Sequence, residues 1–178
     1  MQLETERLVL RLPRADDAEA LAEAWSDPEV MRFIGDGSTG DVEAARQAIE
    51  RFLSRWAADG LGHFVVERRE DGVVVGRVGF LVWNPDTWKT GTRAEFGDRA
   101  EVELGWTLAR AHWGHGFATE AAAACRDAAF GELGLDRLIS LIQPGNERSI
   151  RVAEKLGERH ERDVAVGEQT ARLYAVER

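Results

Sequence analysis

The sequence contains a single cysteine, Cys125, so no disulfide can form within the chain. Histidine is also scarce, with four residues, and neither a His-Glu-x-x-His nor a Cys-x-x-Cys spacing occurs, which argues against a closed metal site. No Gly-Lys-Ser/Thr motif follows a glycine-rich segment, which argues against a P-loop nucleotidase. The apolar runs are far too short to span a bilayer. We therefore expect no metal cofactor and no membrane partner.

Basic residues are outnumbered by acidic ones, 23 against 32, which gives a formal net charge of −9. Nucleic-acid binding depends on clustered cations, so this balance argues against a nucleic-acid partner. It suits a cationic substrate, although an acidic surface also serves solubility alone. The 178 residues show no linker-like shift in composition and predict a single domain, residues 1–178. Acidic residues in the first strand pattern argue against a secretory signal, and we expect a cytoplasmic protein.

The most informative segment is the Gly-x-Gly motif at Gly114 and Gly116. It lies between a strand-like run, residues 100–108, and an Ala-rich helix pattern, residues 117–133. Glycine allows backbone angles that other residues avoid, and the free N–H groups of a helix N-terminus attract anions. A second strand-like run follows at residues 136–143. This order of strand, loop, helix and strand predicts a phosphate-binding unit.

The remaining patterns predict the other strands and helices. Strands are predicted at residues 3–12, 63–68, 73–83, 164–166 and 170–176, and helices at 16–25 and 146–156. Asp71-Gly72 predicts a hairpin between the second and third strands. An amphipathic helix is predicted to carry Ala45, Ile49, Phe52, Leu53 and Trp56 on one face, and the helix after the glycine motif to pack through Ala121, Ala124, Cys125 and Ala128. Residues 84–99 are predicted to form a loop over the acceptor substrate.

These motifs resemble those of the GNAT N-acyltransferases, whose acyl-CoA loop reads (Gln or Arg)-x-x-Gly-x-(Gly or Ala) at the start of a helix. The segment Trp113-Gly114-His115-Gly116-Phe117-Ala118 matches this loop except at its first position. Trp113, with Ala-Thr-Glu-Ala following the loop, is similar to the RimJ/RimL-like branch, which acetylates the N-termini of ribosomal proteins. Further similar segments are residues 5–11, 27–30, 146–149 and 154–157. The chain departs from the pattern at Glu158, where relatives usually carry an apolar aromatic residue.

The resemblance implies an α+β (α/β) GNAT-like fold with a mixed, mostly antiparallel central sheet. About seven strands would be flanked by about four helices, and the sheet would splay between strands four and five. Acetyl-CoA, as cosubstrate, would enter this V-shaped opening. Its pantetheine arm would pair with the backbone of Trp106, Thr107 and Leu108. The phosphates would lie on Arg110, Gly114, His115, Gly116, Phe117, Ala118 and Thr119, and the arm would be held from the other side by Asn146 and Ser149. Alternatively, Asn146 and Ser149 serve only as helix N-terminal caps.

Acyl transfer to an amine requires a neutral nucleophile, although an alkyl ammonium has a pKa of about 10. A general base must therefore accept the proton. Alternation in the predicted fourth strand places Glu103 on the face that lines a cleft, and we predict that it is this base, acting directly or through one water. The alternative is a solvated or salt-bridged Glu103, and an expected bulge would reverse the alternation beyond it. N–H groups near Trp106 would stabilise the oxyanion. Tyr174 and Ser149 are the candidate acids for the leaving thiolate.

Two functions stay open at this level. The first is an N-acetyltransferase that moves an acetyl group from acetyl-CoA to a primary amine by direct attack in a ternary complex. The second is a non-catalytic acyl-CoA binding or regulatory module. The acceptor would be a protein N-terminal amine or a small cationic amine such as a polyamine or an aminoglycoside-like compound. Two loops are expected to line the acceptor side with Asp36, Asp41, Asp86, Glu95 and Asp98. The C-terminal strands are candidates for pairing across a homodimer.

Overall fold

The computed structural model describes residues 1–178 and contains one nine-stranded sheet. The strands are β1 (Leu3–Glu4), β2 (Leu8–Arg11), β3 (His63–Arg68), β4 (Val74–Trp83), β5 (Thr90–Gly91), β6 (Glu101–Leu108), β7 (Arg137–Ile142), β8 (Arg159–Val166) and β9 (Gln169–Glu177). The helices are α1 (Ala18–Trp25), α2 (Pro28–Met31), α3 (Val42–Asp59), α4 (Arg93–Phe96), α5 (Phe117–Phe130) and α6 (Glu147–Lys155). None of these helices has both the length and the apolar character that a bilayer crossing requires.

The sheet runs in the order β1-β2-β3-β4-β6-β7-β9-β8, and β5 pairs with β4 outside this path. Every pairing is antiparallel except that of β6 with β7, which is parallel and consists of a single bridge, Glu103 to Ile139. Strands β6 and β7 are the predicted fourth and fifth strands. The mixed, mostly antiparallel sheet that splays between these two strands is therefore confirmed. The structure has nine strands and six α-helices where about seven and about four were expected, because it adds short elements such as β1, β5, α2 and α4.

The predicted first strand, residues 3–12, is divided into β1 and β2, which pair with each other. The Thr5 hydroxyl accepts a 3.0 Å hydrogen bond from the Leu8 N–H and donates a 2.6 Å bond to Glu120 in α5. These bonds stabilise a turn in the middle of the run. The partner of Thr5 is 115 residues away in the sequence, so the alternation of apolar residues gave no sign of the break.

Helix α3 begins where the Asp41 side chain accepts a hydrogen bond from the Ala44 N–H, and it ends at Gly60, whose φ is 65°. Most of its predicted apolar face packs as expected: Ala45, Ile49 and Phe52 are buried. Leu53 was wrongly placed on this face, because its side chain is 39% exposed.

Residues 84–99 were wrongly predicted to be a loop over the acceptor. They contain β5 and α4 and fold back against the end of β4. The ring of Trp88 lies 6.4 Å from that of Trp83, and Glu95 completes a capping box with Thr92 at the start of α4. These local contacts hold the segment outside the cavity described below.

The two faces of the sheet are covered by different helices. Helix α5 packs on one face through small buried residues, whereas α1 and α3 cover the other face. Cys125 and Ala121 of α5 are buried as predicted, but Ala124 is partly exposed and Ala122 is buried in its place. The close packing of small side chains fixes the N-terminus of α5 beside the end of β6.

The bulge expected in the predicted fourth strand is absent. Strand β6 pairs with β4 in continuous register from Glu101 to Leu108. Register shifts occur instead between β3 and β4, at Val66/Glu67, and between β8 and β9, at His160/Arg162. Because β6 is regular, its alternation can be used to determine which backbone groups face β7.

Candidate active site

A cavity of about 590 Å³ opens where β6 and β7 separate. Both strands contribute to its lining, with Glu103, Gly105 and Trp106 from β6 and Ser140 from β7. The other contributors lie in β3 and β4, in the segment after α2, at the start of α6 and in the β8–β9 turn; they include His63, Arg77, Leu81, Trp83, residues 33–36, Asn146, Ser149 and residues 166–171. The splay of the sheet thus produces a cleft that reaches Glu103.

The backbone of Trp106 faces the gap between β6 and β7. The Leu104 carbonyl accepts a 2.8 Å hydrogen bond from the Ser140 hydroxyl of β7, and the Leu108 carbonyl accepts a 2.8 Å bond from the Trp113 indole. Alternate residues of a strand direct their N–H and C=O groups to the same side, so Trp106 shares the direction of its two neighbours. Its N–H and C=O groups are therefore available to a ligand that pairs like an added strand.

The same alternation limits the other two residues predicted to pair with the pantetheine arm. The backbone groups of Thr107 are directed toward β4, which argues against this role for Thr107. Leu108 faces the gap, but its carbonyl already accepts from Trp113. Only the Leu108 N–H remains for a ligand.

The glycine motif forms an open anion cradle at the start of α5. Gly114 and Gly116 have φ values of 81° and 82°, which L side chains rarely adopt. The backbone N–H groups from Gly114 to Thr119, a run that includes His115, Phe117 and Ala118, donate to no group of the chain. Free N–H groups in succession at the N-terminus of a helix attract phosphate oxygens. This geometry fits the pyrophosphate of a coenzyme A molecule.

An arginine that sequence reasoning missed anchors this loop. Arg7, in the turn between β1 and β2, donates a 3.0 Å hydrogen bond to the His115 carbonyl and a 2.7 Å bond to Glu120. Its guanidinium also lies 4.8 Å from the centre of the Phe117 ring. Arg7 therefore holds the loop from the neighbouring strand, across a sequence separation too long for any local motif to indicate.

Two arginines near the loop differ in what they contact. Arg110, a predicted phosphate ligand, forms a 2.8 Å ion pair with Asp27 at the start of α2. Arg148 was not predicted, and its guanidinium lies 4.2 Å from the centre of the Trp113 ring. Because Arg148 forms no ion pair, it is the cation beside the loop that is free to contact an anion. The phosphate contact of Arg110 stays a prediction.

Glu103 lies at the point where the cleft begins. Its Oε2 accepts a 2.6 Å hydrogen bond from the Trp83 indole, and it forms no ion pair. Burial raises the pKa of Glu103, and the hydrogen bond from Trp83 opposes this effect. Glu103 is thus partly buried in the cavity wall, unlike the solvated or salt-bridged residue of the alternative. A carboxylate of raised pKa is a better proton acceptor than an ordinary one.

The two candidate acids differ in whether they line the cavity. The Ser149 hydroxyl forms no hydrogen bond within the chain, and Ser149 lines the cavity. Tyr174 lies outside the cavity lining: it is 6% exposed, in an apolar cluster with Ile142 and Ile150, and its ring lies 5.5 Å from that of His160. This placement argues against a direct role for Tyr174 in the chemistry.

Asn146 is a helix cap and also lines the cavity. Its Oδ1 accepts a 3.2 Å hydrogen bond from the Ser149 N–H at the start of α6. The side-chain Nδ2 of Asn146 donates to no group of the chain, so the cap leaves it available to a ligand. Asn146 can therefore cap α6 and contact a ligand at the same time.

Of the acidic loop residues predicted on the acceptor side, only Asp36 lines the cavity. Asp41 caps α3, Asp86 pairs with Arg99, and Glu95 caps α4. Asp98 is exposed and also lies outside the lining. The acceptor side is formed instead by residues 33–36 and by the β8–β9 turn.

A buried carboxyl group lies behind the cavity wall. Glu158 is 2% exposed, and its Oε1 lies 3.1 Å from the hydroxyl of Ser140, which lines the cavity. Burial raises the pKa of Glu158 to about 8. Elsewhere, no cluster of three His, Cys, Asp or Glu side chains is arranged to hold a metal ion.

Comparison with known proteins identifies the family. A family model described as an acetyltransferase (GNAT) domain matches residues 7–159, which include Glu103, the glycine loop and all of the cleft lining except residues 166–171. The chain belongs to the GNAT acetyltransferases. The uncharacterized N-acetyltransferase p20 of Bacillus licheniformis is 32% identical over 154 residues, which are 86% of this chain and 80% of that protein.

Solved GNAT structures agree with the fold along the whole chain. An acetyltransferase from Agrobacterium tumefaciens str. C58 superposes with a TM-score of 0.80 at 29% identity, covering 100% of this chain and 95% of that one. RimL, a ribosomal L7/L12 alpha-N-protein acetyltransferase solved in complex with coenzyme A, has a TM-score of 0.78 at 12% identity, covering 99% and 98%. At this identity the likeness to RimL shows the fold alone. Together with the family match, the transferase-named relatives establish an acetyl-CoA-dependent acetyltransferase and disfavour the non-catalytic binding module.

Proposed function

We propose that this GNAT acetyltransferase moves the acetyl group of acetyl-CoA to a primary amine by direct attack within a ternary complex. One observation carries the proposal: Glu103 forms the single bridge between β6 and β7, so its carboxylate lies where the cleft begins. Three residues further along β6, Trp106 has backbone groups that are free toward the gap. A proton acceptor and an oxyanion donor are therefore adjacent on one strand.

Acetyl-CoA would be held mainly by backbone groups. The N–H groups from Gly114 to Thr119 would bind the pyrophosphate, with Arg148 as a nearby cation. The Trp106 backbone and the Asn146 amide would contact the pantetheine arm from opposite sides of the cleft. These contacts fit a polyanionic ligand despite the net charge of −9. Salt screens the repulsion from distant acidic residues, whereas the N–H groups would contact the phosphates directly.

In the reaction, Glu103 would accept a proton from the acceptor ammonium and release a neutral amine. The amine nitrogen forms a bond to the acetyl carbon while the bond from that carbon to sulfur breaks. The Trp106 N–H would stabilise the negative charge that develops on the carbonyl oxygen. The Ser149 hydroxyl would donate a proton to the leaving sulfur and regain one from the acylated nitrogen, which must lose its second proton to become the amide. Cys125 takes no part, because it is completely buried in α5.

For the acceptor, we retain two classes: a protein N-terminal amine and a small amine. The RimJ/RimL-like assignment rests on the loop sequence around Trp113 and supports the first class. The cavity of about 590 Å³ is large enough for a small amine and supports the second. The single domain, the cytoplasmic location and the homodimer through the C-terminal strands stay predictions from the sequence.

Acetyl-CoA consumption, followed as free thiol, tests this function. The wild-type protein is assayed with N-terminal peptides, polyamines, aminoglycosides and amino acids, and acetyl-CoA binding is measured separately by calorimetry. We expect amine-dependent thiol release with one class of acceptor, and the acetylated amine as product. Tight acetyl-CoA binding without any amine-dependent release would contradict the proposal.

A further inference from the structure

Arg77 lines the cavity on the same face as Glu103, whose charge favours the charged form of the guanidinium, and it lies 5.9 Å from the centre of the Phe52 ring. It lies in the middle of β4, is partly buried, and forms neither a hydrogen bond nor an ion pair within the chain. Burial lowers the pKa of Arg77 to about 10, so the guanidinium is still charged at neutral pH. Its five N–H donors need acceptors, because a cation withdrawn from water and left unpaired is unfavourable. Such a group in a cavity wall is suited to bind an anion.

Two further polar groups beside Arg77 also lack partners. His63 is 2% exposed and lines the cavity, yet neither ring nitrogen forms a hydrogen bond. Burial and the neighbouring Arg77 lower the pKa of His63, so the ring is neutral and offers one donor and one acceptor. Thr107 lies directly opposite Arg77 on β6, and its buried hydroxyl is unpaired as well. Three unsatisfied groups therefore meet on one face of the sheet.

The sheet register places Glu103 near this cluster. Gly79 of β4 is paired with both Gly105 of β6 and His63 of β3, and Gly105, which lines the cavity, lies between Thr107 and Glu103 on the same face. A Cβ added at Gly105 would meet only the Oε1 atom of Glu103, at 3.9 Å. Gly105 therefore forms an open part of the cavity floor. One molecule placed there could contact Glu103 with one end and Arg77 with the other.

We propose that Arg77, with His63, binds a carboxylate of the acceptor, so that the acceptor is an amine that also carries a carboxylate a few bonds away. This inference rests on the proposed function, with Glu103 as the group that receives the amine proton. A guanidinium matches a planar carboxylate through two parallel hydrogen bonds. A single arginine in a protein of net charge −9 suits a singly charged carboxylate better than a phosphate dianion. A polyamine would place a second cation against Arg77.

Free amino acids and peptides that begin with Asp or Glu share this chemistry. The assay compares each L-amino acid with its own amide, and peptides beginning with Asp or Glu with those beginning with Asn or Gln. We expect the wild-type enzyme to favour the carboxylate member of a pair by about 10-fold or more. Preference among free amino acids identifies a small-molecule acceptor. A preference for the carboxylate that is seen only among peptides identifies the acceptor as a protein N-terminus that begins with Asp or Glu.

The Arg77→Gln variant tests the role of the guanidinium. It should lower kcat/KM for the carboxylate acceptor by about 10- to 100-fold, chiefly by raising the acceptor KM, and leave acetyl-CoA binding unchanged. The loss on the amide acceptor should be much smaller and confined to low pH, because Arg77 also lowers the pKa of Glu103. Arg77→Lys should recover part of the loss, because it keeps the charge without the planar fork. Arg46→Gln is the matched control: Arg46 is an exposed arginine of α3 whose 3.5 Å ion pair with Glu43 lies on the surface.

Equal losses on carboxylate and amide acceptors in Arg77→Gln would overturn the proposal, as would a wild-type preference for polyamines or amides. If no amine is acetylated, the proposed function fails, and calorimetry with the same amino acids in the presence of coenzyme A still decides this inference. Binding that is weakened in Arg77→Gln but not in Arg46→Gln would support the carboxylate site. No detectable binding of any amino acid to the wild-type protein would refute it.

Discussion

The indole of Trp83 holds one oxygen of Glu103 through a 2.6 Å hydrogen bond to Oε2. The other oxygen, Oε1, is the nearest atom to the open space above Gly105, 3.9 Å from an added Cβ. One oxygen of the carboxylate is thus fixed while the second is directed at the cavity floor. The hydrogen bond from Trp83 thus orients the Glu103 carboxylate and leaves Oε1 able to accept a proton.

Replacing Trp83 with Phe should move the acidic limb of the kcat/KM pH profile to higher pH. The hydrogen bond from Trp83 lowers the pKa of Glu103, so its removal lets burial raise that pKa further. A base must be ionised to work, and activity should therefore be lost first on the acid side. Trp88→Phe is the control, since Trp88 contacts the ring of Trp83 but not Glu103. An unchanged pH profile in Trp83→Phe would be inconsistent with Glu103 as the base.

A charge placed in the glycine loop should disrupt acetyl-CoA binding. Gly114 has a φ of 81° and no atom within 4 Å of an added Cβ, so Asn and Asp should be tolerated there about equally well. We expect Gly114→Asp to bind acetyl-CoA at least about 10-fold more weakly than Gly114→Asn, because only the former brings a carboxylate against phosphate. Calorimetry on the two folded variants checks this, and equal affinities would show that phosphate lies elsewhere.

How much the sequence could predict depended on the range of the interactions involved. The loop from Gly114 to Thr119 could be located because its glycines and the helix that follows are contiguous. Glu103 could be placed on the cleft face because alternation in a regular strand is a local property. Arg7 could not be connected with the loop, since its contact with His115 spans 108 residues.

The other errors have the same origin. The break between β1 and β2 depends on the bond from Thr5 to Glu120, and the folded state of residues 84–99 depends on the packing of Trp88 on Trp83. Arg77 lies within the strand predicted over residues 73–83, where no local motif distinguishes it. Its place in the cavity wall became visible only when the register put it opposite Thr107, on the same face as Glu103.

The buried Glu158 should make stability depend on pH. Its pKa is about 8 in the folded protein against 4.5 for the ordinary group, so the folded state favours the neutral acid. This contribution is fully present below pH 4.5 and is lost as the pH rises through 8. Glu158→Gln, which stays neutral, should therefore have a higher free energy of unfolding than the wild-type protein at pH 9. One unit of pKa difference corresponds to about 1.4 kcal/mol, so we expect an increase of a few kcal/mol.

Near pH 5 the difference in the free energy of unfolding between Glu158→Gln and the wild-type protein should fall to about 1 kcal/mol or less. Denaturant unfolding at both pH values measures it, with the exposed Glu154→Gln as the control. A stabilisation of the same size at both pH values would show that packing, rather than the buried charge, is responsible.

Cys125→Ala should retain full activity. Cys125 is completely buried in α5, and burial raises the pKa of its thiol, so it is neither accessible nor ionised at neutral pH. Direct transfer within a ternary complex needs no acyl-cysteine. Mass spectrometry of the wild-type protein during turnover should find no acetyl group on Cys125, and acetylation in proportion to enzyme would indicate a covalent mechanism instead.

The pH dependence of kcat/KM in Glu103→Gln, beside the matched variant Glu101→Gln, tests the central claim most directly. Glu101 lies on the same strand and pairs with Arg137 at 3.2 Å, so its loss changes charge without changing the cavity wall. We predict that Glu103→Gln binds acetyl-CoA normally, loses about 10²-fold or more in kcat and loses the acidic limb of the profile, while Glu101→Gln remains close to wild type. Wild-type rates from pH 6 to 9 in a folded Glu103→Gln variant would contradict the assignment of Glu103 as the general base.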